Sequence, residues 1–105
     1  MICAEFLLRD GHLCGFSVRG HAGAEAQGKD IVCAAVSSAV YMAANTVTDV
    51  CGCKAHVHEG EGLLTVSVKQ ADEQKVQIIL QGLMLHVQGL SAQYPQYIQV
   101  QQTEV

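Results

Sequence analysis

The sequence has no tryptophan, a single proline and few aromatic side chains, two phenylalanines and three tyrosines among 105 residues. Its six lysine and arginine residues are scattered singly, and only 15% of the chain is charged. A nucleic-acid-binding protein normally presents a clustered basic face and aromatic side chains on which bases stack. We therefore expect no direct contact with nucleic acid. The formal net charge of −4 serves solubility and mildly favours a cationic partner.

The sequence contains five cysteines, and this odd number speaks against a fully paired disulfide framework. Residues 1–8 carry Glu5 and lack the basic head and small-residue cleavage site of a secretory leader. No apolar run in the sequence approaches the roughly 20 residues that a membrane span needs. These absences predict a cytoplasmic protein with reduced thiols and no membrane contact.

The sequence does contain enough apolar residues, half of the total, to bury a core. A chain of this length is expected to form one domain over residues 1–105. Asp10-Gly11 predicts a tight hairpin between Ile2–Arg9 and Leu13–Arg19, because glycine accepts the positive φ that such turns require. In the second arm, residues of the two faces alternate as in a half-buried strand.

The remaining residues predict two helices, a second hairpin and a last strand. Asp30 is a good N-cap for a helix over 31–50, which is apolar nearly all round and is therefore expected to be central and buried. In the second helix, apolar residues from Val76 to Leu90 form one stripe, and Gln77 lies with other glutamines mostly on the solvent side. The other predicted elements are a hairpin of strands 53–59 and 63–69 joined at residues 60–62, an N-cap of the second helix at Asp72, and a last strand over 96–105.

This order of elements, ββαββαβ, predicts the fold class. Strands and helices segregated in this way are typical of an α+β domain with both helices packed on a mostly antiparallel sheet. The pattern shows neither a linker nor a repeat.

One cysteine differs from the other four by its position. Cys33 is predicted as the third residue of the helix capped by Asp30, where the helix dipole and unpaired backbone N–H groups stabilise the reactive thiolate. His21 lies just before it in the glycine-rich connection 20–28, from which an imidazole can reach the thiol. The alternative on these residues alone is a buried, inert Cys33 and a His21 without a role, since nucleophile and base are recognised in space.

Two segments resemble the signature of the ribosomal-processing cysteine protease family Prp: Gly20-His21-Ala22, and the run from Gly28 through Asp30-Ile31-Val32-Cys33 to Ser37. The resemblance extends over the whole chain in length and element order. It implies a cysteine endopeptidase that removes the N-terminal extension of the large-subunit ribosomal protein twenty-seven in Firmicutes and their relatives. It also implies a homodimer, and no metal or other cofactor.

The resemblance implies roles for individual residues. Cys33 becomes the nucleophile, and His21 becomes the acid/base group of a reaction that passes through an acyl-enzyme. Asp30 matches the family's aspartate before Ile-Val-Cys, either as helix N-cap or as the residue that orients His21. The candidate substrate-binding residues are Ala22, Gly23 and Gly28, in a loop that can close over the peptide, and Ser37, whose alternative role is helix packing.

Two other interpretations compete with the protease. Cys51 and Cys53 followed by His56 and His58 suggest a metal site, but the spacing is unusual, and in a strand the two histidines share a face opposite to Cys53. We therefore expect no metal. The second alternative is a non-enzymatic, ribosome-associated assembly or binding module.

Overall fold

The computed structural model describes residues 1–20 and 29–105, and for Lys29 and Asp30 the backbone only. The helices and strands are β1 (Ile2–Arg9), β2 (His12–Arg19), α1 (Lys29–Asn45), β3 (His56–Gly60), β4 (Leu63–Ser67), α2 (Glu73–Gln93) and β5 (Ile98–Glu104). A π-helical turn over Thr46–Val50 follows α1, and a 3-10 turn over Gln70–Asp72 leads into α2. This order confirms the predicted ββαββαβ arrangement.

The strands form one sheet in the order β3-β4-β2-β1-β5. Three of its neighbouring pairs are antiparallel, and only β5 lies parallel to β1, because α2 carries the chain back along the sheet before β5 begins. The Asp-Gly turn is confirmed: Asp10 and Gly11 have φ values of 53° and 79°, as a two-residue hairpin loop requires. The second hairpin turns through Glu61 and Gly62, one residue fewer than the sequence predicts.

One face of the sheet is buried under both helices. Alternate residues of β1 point to this face, and Phe6 stands beside Phe16, which in turn stands beside Val66. The opposite face is polar. There Glu5 accepts a hydrogen bond from Thr103 at 2.7 Å and lies 3.8 Å from Arg19. The two faces thus follow the period of two that strand geometry imposes.

α1 is buried on one side only, which corrects the prediction of a central helix. Val32, Val36 and Val40 are buried against the sheet and α2, whereas Ile31 is 67% exposed. The physical reason is that α1 and α2 form a single layer, so nothing in the described chain covers its outer side. By length and apolar composition Ile31–Val50 is a candidate membrane span, contrary to the expectation above, although a core helix passes the same test.

α2 is attached to the first hairpin by a polar clamp that the sequence did not predict. The Gln77 amide nitrogen donates to the Leu13 carbonyl at 2.6 Å, and its oxygen accepts from the Leu13 N–H at 3.3 Å. Beside it, Arg9 forms an ion pair with Glu73. Gln77 therefore lies against β2 rather than on the solvent side. The clamp also contacts Leu13, one of four consecutive buried residues of β2. Beside it the pairing with β1 shifts by one residue, because Leu7 pairs with Gly15 and Leu8 with Leu13, and this shift interrupts the predicted alternation.

Replacing Gln77 by alanine tests this clamp. The change leaves the backbone groups of Leu13 without their side-chain partner, so the free energy of unfolding should fall by about 1–3 kcal/mol. Gln81→Ala, one turn further along α2 at an exposed position, is the matched control and should change it by less than about 0.5 kcal/mol. Urea denaturation followed by circular dichroism measures both. Equal losses in the two variants would contradict a specific clamp.

Candidate active site

A cleft of about 220 Å³ lies between α1 and the end of the sheet at which β2 finishes and β4 begins. One wall is α1, the other is the turn between β3 and β4, and the floor is the buried face of the sheet. The lining residues are Ile2, Val18, Gly20, Cys33, Val36, Ser37, Val40, Tyr41, Gly60, Gly62, Leu63 and Leu64.

Cys33 lies in this cleft, half-buried, and packs against the hydrophobic core. It is the fifth residue of α1 rather than the third, because the helix begins at Lys29. Asp30 is therefore inside the first turn, and its predicted position as N-cap is wrong. Lysine is a good helix former, and an acidic residue within the first turn is favoured by the positive end of the helix dipole. The unpaired N–H groups at the helix start belong to residues before Cys33.

Gly20 brings the chain that carries His21 to the same cleft. Its N–H donates to the Gly62 carbonyl at 2.9 Å, and its φ is 94°. A Cβ atom at this position would lie 2.4 Å from the Met1 carbonyl oxygen, so only glycine fits. The chain thus leaves β2 beside the cleft that holds Cys33. His21, Ala22, Gly23 and Gly28 lie outside the described residues, and their roles stay predictions.

Ser37 is placed as the sequence suggested, one turn beyond Cys33 on the same side of α1 and in the same cleft. Its side chain is exposed, so core packing does not account for its position. Contact with substrate stays a prediction. Below Ser37 the floor is apolar: Val18, Val36 and Leu64 contribute aliphatic side chains. Such a floor favours apolar groups of a ligand because their burial removes apolar surface from water.

The sequence did not identify two residues at the end of the cleft remote from Cys33. The Tyr41 hydroxyl of α1 donates a hydrogen bond to the Glu59 carboxylate of β3. The bond raises the pKa of Tyr41. A signal for Tyr41 existed in the sequence, since Cys33, Ser37 and Tyr41 are spaced four residues apart and share a helix face. No signal pointed to Glu59, which a separate hairpin brings to α1.

The other thiols have different surroundings. Burial raises the pKa values of the Cys14 and Cys53 thiols, so at neutral pH both stay protonated and poorly nucleophilic. Cys3, Cys14, Cys51 and Cys53 are free thiols. Among the described side chains, those of residues 1–20 and 31–105, no three histidine, cysteine or acidic groups are placed to hold a metal ion. His56 and His58 are exposed on β3.

Together these features define a class: a small α+β protein in which a thiol on a helix lies in a cleft with an apolar floor. The model of a family described as cysteine protease Prp matches residues 1–99. The chain belongs to this family and is a cysteine protease. The family membership decides against the alternative of a non-enzymatic binding module.

Solved structures have the same fold. SMU.848 from Streptococcus mutans is 27% identical, with a TM-score of 0.83 over 100% of this chain and 96% of that chain. The essential ribosomal processing protease Prp from S. aureus, in complex with a substrate peptide, is 21% identical, with a TM-score of 0.86 over 98% of this chain and 100% of that chain. The same protease with a covalently linked product peptide is 22% identical, with a TM-score of 0.86 over 98% of this chain and 100% of that chain. A search of the curated proteins finds no match.

Titration of Tyr41 tests the hydrogen bond at the end of the cleft. A carboxylate that accepts from the phenol stabilises the protonated form and repels the tyrosinate, so Tyr41 should ionise at a higher pH than an ordinary tyrosine. In Glu59→Gln the charge is gone, and the pKa of Tyr41 should fall toward its usual value. NMR of ring-labelled tyrosine measures the ionisation of Tyr41 in both proteins. The same Tyr41 midpoint in both proteins would contradict the bond.

Proposed function

We propose that this cysteine protease removes the N-terminal extension of the large-subunit ribosomal protein twenty-seven, with Cys33 as nucleophile and His21 as its acid/base partner. The observation that carries the proposal is the position of Cys33 in an apolar cleft of a chain that belongs to the Prp family. The substrate follows from the resemblance to that family, and the S. aureus relative described as a ribosomal processing protease supports it.

The proposed reaction uses only side chains and water. The Cys33 thiolate attacks the scissile carbonyl carbon, and His21, as imidazolium, protonates the leaving amine as the C–N bond breaks. A thioester between Cys33 and the acyl segment remains. Neutral His21 then deprotonates a water molecule, which attacks the thioester carbonyl and releases the carboxylic acid and the thiolate. No metal or cofactor is required by these steps.

The shape and charge of the cleft suit the proposed substrate. An apolar segment before the cut fits the aliphatic floor formed by residues such as Val36 and Leu64. A lysine-bearing segment after the cut is attracted by the net negative charge of the chain. Ser37 and the loop residues Ala22, Gly23 and Gly28 are proposed to contact the peptide.

The proposal also covers the role of the Asp30 carboxylate and the cellular location of the enzyme. Since the backbone of Asp30 lies inside the first turn of α1, three residues before Cys33, we propose that its carboxylate orients His21. A cytoplasmic location suits an enzyme of this kind, because its thiol must stay reduced to react. We propose that the protein contacts neither a membrane nor nucleic acid.

Substitution of Cys33 tests the nucleophile. Wild-type protein should cut a peptide spanning the ribosomal extension once, and Cys33→Ala should lower the rate by more than about a thousandfold, since no other group forms the acyl-enzyme. Cys51→Ser, which changes a half-buried thiol outside the cleft, is the matched control and should retain activity. Mass spectrometry of the products measures the cut.

Two results would contradict the proposed site. Cleavage at the same bond by Cys33→Ala would show that another group is the nucleophile. Full turnover at neutral pH by His21→Ala would show that the histidine is not the acid/base partner. An intact peptide after incubation with wild-type protein at high concentration would contradict the proposed substrate.

We also propose that the protein is a homodimer, formed through the outer side of the two-helix layer. This side exposes large apolar residues, among them Ile78 at 89% and Leu85 at 71%, beside a groove between α1 and α2. The segments 31–48 and 76–103 contain no aspartate, glutamate, lysine or arginine. A surface without like charges can face a copy of itself without repulsion, as a two-fold interface requires.

Leu85→Glu tests this interface. The exposed side chain contributes little to folding, but a carboxylate buried without a partner between two copies is costly. Wild-type protein should therefore scatter light as a dimer and the variant as a monomer of 11.2 kDa. Gln88→Glu, exposed on the same helix, adds the same charge and is the control. A monomeric wild type, or a variant that stays dimeric, would contradict the interface.

A further inference from the structure

The cleft has a length that can be read from α1. Cys33, Ser37 and Tyr41 line it in successive turns of the helix, and eight residues at 1.5 Å per residue place Tyr41 about 12 Å from Cys33 along the axis. An extended peptide advances about 3.3 Å per residue. The distance from the thiol to the phenol therefore accommodates about three to four residues of an extended peptide.

The two long walls of the cleft differ in what they offer a peptide. The wall formed by α1 presents side chains, whereas the opposite wall is the β3–β4 turn with Gly60 and Gly62. A Cβ atom on Gly60 would meet no other atom within 4 Å, so space is available beside this wall. Between the walls, Val40 and Leu64 extend the apolar floor towards the end remote from Cys33.

The hydrogen bond from Tyr41 to Glu59 joins these two walls. Tyr41 belongs to α1 and lines the cleft, and Glu59 stands in β3 next to Gly60 of the opposite wall. Tyr41 is 45% exposed, so core packing does not hold its ring in place, and its bond to Glu59 spans the gap between helix and hairpin. The pair therefore connects α1 to the hairpin at a distance of about three to four extended residues from the thiol.

We propose that Tyr41 and Glu59 form the end wall of the substrate cleft and set the number of apolar residues that the enzyme accepts on one side of the scissile bond. The inference rests on the proposed function in one respect, that the cleft beside Cys33 binds the peptide. Residues up to the wall are buried on the apolar floor and add to transition-state binding. A bulky residue beyond the wall meets the Tyr41 ring and the Glu59 carboxylate and adds nothing.

Two series of peptides test the wall, one lengthened by single leucines before the cut and one after it. In one series kcat/KM of the wild-type enzyme should rise at least about fivefold per residue up to the third or fourth, and then stop rising. In Tyr41→Ala the next leucine should restore a gain of similar size, because the floor is then open beyond the former wall. Tyr41→Phe, which keeps the ring and loses the bond, should shift the limit less.

Matched controls separate the wall from general effects. Asn45→Ala changes the exposed residue one turn beyond Tyr41 on the same side of α1, and Glu61→Gln removes the charge two residues from Glu59; neither residue lines the cleft. Both variants should keep the wild-type length profile, whereas Glu59→Gln should relax it. The ratio of kcat/KM between long and short peptides is the readout, because a merely structural change lowers all lengths alike.

The failure of this inference differs from the failure of the proposed function. An active wild-type enzyme whose length profile Tyr41→Ala leaves unchanged in both series would overturn the end wall and leave the protease intact. A wild-type enzyme that cuts no peptide would contradict the proposed function. In that case, fluorescence anisotropy with labelled peptides and the Cys33→Ala protein, with and without Tyr41→Ala, tests the wall by binding: the same change of length limit supports it, and identical profiles overturn it.

Discussion

One face of the five-stranded sheet has to be kept from water, and in the described part of the chain two helices cover it. The apolar side chains on that face, with Phe6 and Phe16 at the centre, are almost completely buried. This burial is the main favourable contribution to the fold, and it requires α1 and α2 to lie side by side in one layer. The polar clamp between Gln77 and Leu13 holds α2 to the first hairpin within this layer.

The cleft is a consequence of the same constraint. α1 crosses the end of the sheet without filling the space above the last residues of β2 and the first of β4, and Cys33 lies on the side of the helix that faces this space. Gly20, which follows β2 and donates to the Gly62 carbonyl, also borders this space. A fold of one sheet and one helix layer thus buries its core and exposes the outer sides of both helices, and among the described residues it leaves a cleft beside α1.

Much of the fold is local in origin and could be predicted. The Asp10-Gly11 turn follows from the φ values that these residues tolerate, and the stripe from Val76 to Leu90 follows from helical periodicity. Three expectations were wrong. The reason for Asp30 is local: it is not the N-cap because the helix extends back to Lys29. The other two reasons are non-local: Gln77 is not solvated because β2 offers it a backbone partner, and the apolar α1 is not central because no second layer of the described residues covers it.

The sequence by itself determined the order of the elements, the turn of the first hairpin and the family, because each depends on residues close together in the chain. It also singled out Cys33, since the motif around it is contiguous. Only the tertiary structure decided which side of α1 is buried, which residues form the cleft and that Glu59 meets Tyr41 at its end. These depend on contacts between segments distant in sequence, which periodicity and composition do not report.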